Sequence, residues 1–131
     1  MAENITFHLV SPERKLALIE AKSVTVPGLE GDMTVLPNHA RFLTSLRPGM
    51  LLVNSLEGTE EFLVTGGFAE IVDSVATVLA EKSIPKSEIK KEFIMNLISE
   101  AEEESSRVTD KRKALVDLRL NDLKTIYEQF N

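Results

Sequence analysis

The chain has 131 residues, a net charge of -6 and a pI near 5.0, and this acidic balance argues against nucleic acid or an anionic lipid surface as a direct partner. It contains no cysteine, which excludes a disulfide framework, a thiol nucleophile and a cysteine-ligated zinc ion. No window approaches the roughly 20 apolar residues that a membrane-spanning helix needs, so we expect any membrane association to be indirect, through a protein partner.

Turn-forming residues divide the chain into two parts. All five prolines and all six glycines lie at or before Pro85, and residues 86–131 contain neither. We therefore expect a β domain over residues 1–85 and a helical segment over residues 86–131. This order predicts an α+β fold, in which an N-terminal β-sandwich or flattened barrel is followed by a C-terminal antiparallel two-helix hairpin.

Short strands with alternating apolar and polar residues are predicted along the first part. Ile5, Phe7 and Leu9 mark the first strand, a turn follows at Ser11-Pro12-Glu13, and a longer extended stretch covers residues 16–26. Further strands are predicted over residues 33–36, 50–56, 62–65, 68–72 and 75–80, with turns at residues 57–59 and 73–74. Many short strands at regular spacing are typical of a sandwich or barrel.

The segment from Val26 to Met50 predicts a hairpin followed by two tight turns. Gly28 and Gly31 bracket an acidic tip, because glycine accepts positive φ at low steric cost. Pro37 and Pro48 fix φ at the starts of turns and remove donors from the strand ladder, so each marks the end of a strand.

Two features of the β domain suggest chemistry, and in both cases we favour a structural role. His39 follows Pro37-Asn38 in a turn, and a single base without partners makes no catalytic or metal site, so we expect its ring to bond nearby backbone. Gly66-Gly67 lacks the spacing of a phosphate loop and precedes a strand, which favours a bulge or a close backbone approach. With two histidines, a zinc site would need several carboxylates from unrelated positions.

The second part predicts two amphipathic helices with a short joint. Ser87 is the expected N-cap of the first helix, with Glu88 in its first turn. The joint is expected at Ser105-Ser106, and Ser106 or Thr109 should cap the second helix. The apolar stripes are Ile89, Phe93, Ile94, Leu97, Ile98 and Ala101 on the first helix, and Val116, Leu120, Leu123, Tyr127 and Phe130 on the second.

The charges of the two helices differ in sign. Residues 86–106 hold six acids and three bases, whereas residues 107–131 hold six bases and four acids. The consecutive acids Glu102-Glu103-Glu104 fan around a helix and cannot form a facing catalytic pair. The basic run Lys111-Arg112-Lys113, taken alone, is typical of a solvated helix face.

Several motifs of the chain, taken in series, resemble the epsilon subunit of F-type (rotary) ATP synthases. That family shows an acidic glycine-rich hairpin, a Pro-x-His-Ala turn and a Leu-x-Pro-Gly-Met motif, which read here Glu30-Gly31-Asp32, Pro37-Asn38-His39-Ala40 and Leu46-Arg47-Pro48-Gly49-Met50. Residues 61–71 and 75–81 are similar to the family's strand–Gly-Gly–strand segment and last strand. The resemblance covers the first 85 residues in consistent order, and the rest matches in length and helical character.

The resemblance implies a non-catalytic rotor and regulatory subunit of the central stalk, which holds no cofactor or metal and couples proton-driven rotation to ATP synthesis. The β domain would bind the γ subunit and sit on the ring of c subunits. The partner-binding residues on that side would be Glu30, Gly31, Asp32 and His39.

The resemblance also implies that the helical hairpin restrains ATP hydrolysis by extending beside γ into the catalytic head of α and β subunits. The bases that would approach acidic segments of the head are Lys111, Arg112, Lys113 and Arg119. The implied location is the cytoplasmic face of the bacterial plasma (inner) membrane, as a peripheral protein. Residues 1–5 show neither the basic start nor the apolar run of a secretory signal, in agreement with that location.

The chain departs from the family at the nucleotide motif that some epsilon subunits carry, Ile/Leu-Asp-x-x-Arg-Ala. Here Lys90 replaces the aspartate, Phe93 the arginine and Ile94 the alanine, so the motif predicts no tight binding of ATP. The alternative interpretation is a free-standing β-sandwich binding module or a small-molecule hydrolase with a helical lid. Against it stands the lack of any nucleophile–base arrangement in the sequence.

Overall fold

The computed structural model describes residues 4–12 and 15–130. Predictions that concern residues 1–3, and the Glu13 end of the first turn, lie outside the described residues. The chain divides into two compact units, Met1–Ser87 and Glu88–Asn131. The first is built from strands and the second from helices, and each is described by itself.

Within the described residues the first unit has nine strands. They are β1 (Ile5–Val10), β2 (Lys15–Gly28), β3 (Gly31–Val35), β4 (Phe42–Leu46), β5 (Gly49–Ser55), β6 (Gly58–Val64), β7 (Gly67–Val72), β8 (Val75–Ala80) and β9 (Ser83–Pro85). The predicted strands are present with ends shifted by a few residues. The turn predicted at residues 57–59 instead lies at Leu56-Glu57, because Gly58 already pairs with Ser55.

The long strand β2 joins two halves of the sheet. Up to Ala21 it pairs with β1, and beyond that residue it pairs with β5 along one edge and β3 along the other. The strand path runs β1-β8-β7-β4-β2 and returns to β1, and it continues from β2 through β5 and β6 to β9. A sheet that closes on itself through one long strand confirms the predicted sandwich or flattened barrel.

Alternation along the strands places one set of side chains in a common core. In β1, Ile5, Phe7 and Leu9 are fully buried while the residues between them are partly exposed, as predicted. Each of these large side chains contributes roughly 1.5–3 kcal/mol by its burial. The remaining members of the core are Ala21, Val24, Val26, Val35, Leu46, Leu51, Val53, Phe62, Val64, Ala69, Ile71, Ala76, Val78 and Ala80.

Glycines permit close approaches in this unit, among them those at Gly67 and Gly28. Gly67 has a φ of +128, and a Cβ there would collide with the backbone carbonyl of Leu79 on the neighbouring strand, which confirms the close approach expected at Gly66-Gly67. At the β2–β3 hairpin, Gly31 has the expected positive φ of +133, whereas Gly28 is required for a different reason. A Cβ at Gly28 would lie 2.9 Å from the carbonyl oxygen of Gly31, so contact rather than φ excludes a side chain.

Two short strands, β4 and β9, were absent from the sequence prediction. The segment of β4, Phe42-Leu43-Thr44-Ser45-Leu46, lies between two proline turns and carries apolar side chains at neighbouring positions, so it shows little alternation. Strand β9 has three residues and ends in Pro85. Both are defined by pairing with distant strands, β4 with β7 and β9 with β6, and not by local pattern.

The second unit contains two helices, α1 (Lys91–Arg107) and α2 (Asp110–Gln129), as predicted. The N-cap assignment was wrong, because Ser87 lies in a short 3-10 turn over Lys86–Glu88 and the extended residue before α1 is Lys90. The joint is also later than predicted and consists of Val108 and Thr109, both extended. Helix α1 continues through Ser105 and Ser106, and the Ser106 hydroxyl donates to the backbone oxygen of Glu103 at 2.6 Å, a bond that a helix accommodates.

The two apolar stripes meet inside this unit. The buried residues of α1 are Ile94, Leu97, Ile98 and Ala101, all members of the predicted stripe. In α2 the buried residues are Val116, Asp122, Leu123 and Ile126. The stripe predicted on α2 was therefore only partly right: Leu120, Tyr127 and Phe130 are half-buried at its margin, and Ile126 takes their place in the centre.

Candidate functional site

The acidic tip predicted from the sequence forms the closed end of the β2–β3 hairpin. Leu29 and Glu30 make the turn, Gly28 pairs with Gly31, and Asp32 lies opposite Pro27. Leu29, Glu30, Gly31 and Asp32 are exposed. The tip therefore presents two carboxylates and one leucine side chain, 50% exposed, to the surroundings.

The tip borders an open groove of about 450 Å³ between the hairpin and β4. Glu30, Gly31 and Asp32 line one side, and Phe42, Leu43 and Thr44 line the other. The structure thus brings three of the four predicted tip-side residues together beside an apolar wall. Because β4 was not predicted, this second wall was not predicted either.

The fourth residue, His39, lies in the turn between β3 and β4. Its Nδ1 is 2.7 Å from the carbonyl oxygen of Ala40, and its backbone N–H donates to Leu36 O at 3.2 Å. Its ring meets the ring of Phe42 edge to face, with centroids 6.3 Å apart. His39 is thus a turn residue that bonds nearby backbone, as predicted, and it reaches the groove only through Phe42.

A second surface, absent from the sequence prediction, is the outward face of the sheet formed by β4, β7, β8, β1 and the first half of β2. Four large apolar side chains lie at its outward positions and are more than half exposed: Leu18 (57%), Leu43 (65%), Phe68 (54%) and Leu79 (54%). We call these four residues the apolar face. Phe68 and Leu79 are directly paired across β7 and β8, and Leu18 is paired with His8.

The signal for the apolar face was present in the sequence but requires the topology to be recognised. A strand with one solvated side normally alternates apolar and polar residues. Phe68 and Leu79 occupy positions where their strands should be polar. Phe68 precedes the buried Ala69, and Leu79 lies between the buried Val78 and Ala80. Only the strand order shows that these exceptions share one face.

The predicted basic residues lie on α2 but do not form a uniform patch. Lys111, Arg112 and Lys113 are exposed in its first turn, while Arg119 is half-buried two turns later. Two of the bases bond across the hairpin or along α2: Arg112 lies 3.5 Å from Glu104 of α1, and Lys113 lies 3.5 Å from Asp117. The bases therefore already contact carboxylates of their own chain.

A polar cluster beside the joint ties the end of α1 to the start of α2. Ser105 Oγ donates to Asp117 Oδ1 at 2.5 Å, and Lys113 Nζ donates to the Ser105 hydroxyl at 3.0 Å and to the Ser105 carbonyl at 3.3 Å. We call Ser105, Lys113 and Asp117, together with the Glu104–Arg112 pair, the joint clasp. The Ser105 hydrogen bond and, to a smaller degree, the Lys113 ammonium lower the pKa of Asp117.

This shift gives a testable pH dependence. Replacing Ser105 by Ala should raise the pKa of Asp117 toward the ordinary aspartate value of about 3.9. Since the folded pKa is lowered, the stabilising contribution of the bond is present above the ordinary pKa and is lost as pH falls through the folded value. A carboxylate NMR titration measures this. Ser106→Ala is the matched control, because the Ser106 hydroxyl bonds Glu103 O instead, and an equal Asp117 midpoint in both variants would contradict the assignment.

No group of three or more His, Asp or Glu side chains in residues 4–12 and 15–130 is arranged to hold a metal ion. Neither described helix has the length and apolar composition to cross a bilayer.

Comparison with known proteins gives a consistent result. The family model of the ATP synthase delta/epsilon chain β-sandwich domain matches residues 4–86. The chain is 48% identical to the ATP synthase epsilon chain of Ruegeria sp. (strain TM1040) over 128 residues, which cover 90% of this chain and 93% of that relative. It is 46% identical to the epsilon chain of Fuscovulum blasticum over 121 residues, with the same coverage of 90% and 93%.

A solved structure extends the likeness to both units. A chain of the mitochondrial ATP synthase of Euglena gracilis, solved as an OSCP/F1/c-ring assembly, superposes with a TM-score of 0.77 and covers 100% of this chain and 84% of that one. The sequence identity is 22%, so this likeness supports the fold.

Proposed function

The chain belongs to the family of ATP synthase epsilon chains, and from this premise we propose that it is a rotor subunit of the central stalk of a proton-translocating F-type ATP synthase. It is a non-catalytic subunit that couples rotation to ATP synthesis and restrains ATP hydrolysis. Its partners are the γ subunit, the ring of c subunits and, through α2, the α and β subunits. It sits peripherally at the cytoplasmic face of the bacterial plasma membrane and reaches the membrane only through the complex.

The observation that carries this proposal is the apolar face. Leu43, Phe68 and Leu79 are each more than half exposed on neighbouring strands of one sheet. Contiguous large apolar side chains on a sheet surface mark a protein interface, since a free domain gains nothing by exposing them. We assign this face to the γ subunit, because binding to the shaft has to persist through every rotation and an apolar interface supplies durable affinity.

The hairpin tip is assigned to the ring of c subunits. Glu30 and Asp32 extend from the sheet on a short turn, next to a groove with an apolar wall. Two carboxylates beside an apolar groove suit a partner loop that offers a base and an apolar side chain. His39, whose ring meets that of Phe42 edge to face beside the far wall of the groove, is assigned to the same interface.

A crosslinking experiment tests this orientation. The chain has no cysteine, so Asp32→Cys introduces a single thiol at the tip. In assembled enzyme it should form a crosslink to a c subunit. Glu57→Cys is the matched control, since Glu57 is an exposed acid at the tip of the β5–β6 hairpin. Crosslinks of Asp32→Cys to α or β alone, or equal c-subunit yields from both variants, would overturn the assignment.

The helical unit is assigned the role of a brake on hydrolysis. Its two helices meet along one apolar stripe and are linked by a joint of two extended residues without further secondary structure. Such a hairpin can exist in a closed pose and an extended pose of similar energy, in which α2 offers its stripe and bases to the catalytic head. Lys111, Arg112, Lys113 and Arg119 are the bases that would meet acidic groups there.

The alternative of a free-standing binding module or hydrolase is set aside by family membership. The groove beside the tip is open, and its polar side chains are two solvated carboxylates, Thr44 and Ser45, with no histidine among the lining residues to act as a base. This arrangement offers no activated nucleophile.

A further inference from the structure

Two of the four bases that the brake would use, Arg112 and Lys113, form ion pairs within the closed hairpin. Arg112 lies 3.5 Å from Glu104, and Lys113 lies 3.5 Å from Asp117 while also donating to the hydroxyl and the carbonyl of Ser105. Both acids are on the same helical unit as the bases. An acidic partner surface must therefore compete with carboxylates of this chain.

The contacts across the two helices cannot survive extension of the hairpin. Glu104 and Arg112, like Ser105 and Lys113, are eight residues apart. A continuous helix rises about 1.5 Å per residue, so straightening α1 and α2 into one rod would separate each pair by roughly 12 Å along the axis. The Lys113–Asp117 pair, at i and i+4 on α2, would persist. Opening thus breaks every contact of the clasp between α1 and α2 at once.

On these contacts, and resting on the proposed brake function, we propose that the joint clasp is a latch that holds the hairpin closed and pairs the head-binding bases Arg112 and Lys113 with groups of this chain. In the closed pose Glu104 and Asp117 pair with these bases in place of the acidic partner surface. Ser105 is a positioning residue, because its hydroxyl orients Asp117 and its carbonyl receives the Lys113 ammonium. The partner that opens the latch is an acidic protein surface.

The latch predicts that acids and bases of the clasp have opposite effects on inhibition. Loss of Glu104 and Asp117 removes the internal competitors but keeps the bases, so the hairpin opens more often and inhibition becomes stronger. Loss of Arg112 and Lys113 also frees the joint, but the opened hairpin lacks its binding charges and inhibition becomes weaker. A cluster that merely stabilised the helices would move inhibition in one direction for both changes.

The first test measures opening in the full chain. Glu92 on α1 and Glu128 on α2 are exposed and lie toward the ends of the helices remote from the joint, and the chain has no native cysteine. Spin labels on Glu92→Cys and Glu128→Cys report the separation of the helices by pulsed EPR. The ratio of open to closed molecules should rise about twofold to fivefold in Glu104→Gln with Asp117→Asn, as expected for the loss of exposed charge pairs.

The matched control is Glu100→Gln with Glu102→Gln, which makes the same change in net charge at exposed positions of α1 outside the clasp. An equal open fraction in the clasp and control variants would overturn the latch. The Ser105→Ala variant should open the hairpin to a smaller extent, because the pair of Arg112 with Glu104 is retained.

The second test measures ATP hydrolysis by assembled enzyme carrying each variant. Stronger inhibition with the neutralised acids and weaker inhibition with Arg112→Ala and Lys113→Ala would support the latch. If the EPR distances show opening and hydrolysis does not change, the latch stands and the proposed brake fails. If the distances do not change, the latch fails whatever the hydrolysis rates are.

Discussion

Deleting the residues after Lys86 should raise ATP hydrolysis by the assembled complex severalfold, while the truncated chain still binds γ. The deletion removes both helices and leaves strands β1 to β9 intact. If the extended hairpin blocks rotation in the hydrolysis direction, its removal abolishes the blocked population entirely. A bias of a few kcal/mol between the two poses is enough to make that population dominant, so the gain in rate on deletion is correspondingly large.

Neutralising the bases should reproduce part of this gain. Lys111, Arg112, Lys113 and Arg119, changed together to Ala, would lose the charge contacts with the head but keep the buried stripe of α2. The difference in hydrolysis between this variant and the unmodified chain should shrink at high salt, because exposed charges are screened within about 3 Å at 1 M. Lys124→Ala is a single-charge control at an exposed position of α2 beyond the basic segment.

Unchanged hydrolysis in the deletion, with assembly verified by copurification of α, β and γ, would show that the hairpin serves assembly or stability. A loss of γ binding on deletion would instead show that the helices contribute to the rotor interface. The first outcome contradicts the brake and leaves the β domain as a rotor element. The second contradicts the assignment of γ binding to the β domain alone.

The strands were predictable where one side is buried and the other is solvated. β1 illustrates this, since its strict alternation of buried and partly exposed residues is visible in the sequence. β4 was not predictable, because both Phe42 and Leu43 are apolar and exposed. Both line the groove, and Leu43 also belongs to the apolar face, so this strand lacks the alternation by which a half-solvated strand is recognised.

The candidate surfaces also differ in whether they could be predicted from the sequence. The tip could be predicted because glycines and acids are adjacent in the chain. The joint clasp could not, since Ser105 and Asp117 lie on different helices and meet only when those helices pack together. Contacts that depend on how two packed helices align cannot be predicted from the sequence of either helix alone.

Replacing Phe68 by Glu should reduce the affinity for γ by about 100-fold or more. Phe68 faces outward and is paired with Leu79, so the substitution removes the centre of the apolar face and places a carboxylate there. In the complex that carboxylate would be buried without a partner, which costs several kcal/mol. A loss of about 2.7 kcal/mol already corresponds to 100-fold in affinity.

The same substitution should leave the β domain folded, because Phe68 is 54% exposed and no core contact is lost. Leu56→Glu is the matched control: Leu56 is 60% exposed at the β5–β6 turn and lies outside the apolar face. Titration of γ with each variant, together with thermal unfolding of the free chains, separates loss of binding from loss of fold.

If Phe68→Glu binds γ as tightly as Leu56→Glu does, γ docks elsewhere on the domain. A drop in binding for Phe68→Glu alone, at an unchanged unfolding temperature, can arise only if the partner covers this sheet face. The exposed leucines and phenylalanine are then explained by the protein that covers them.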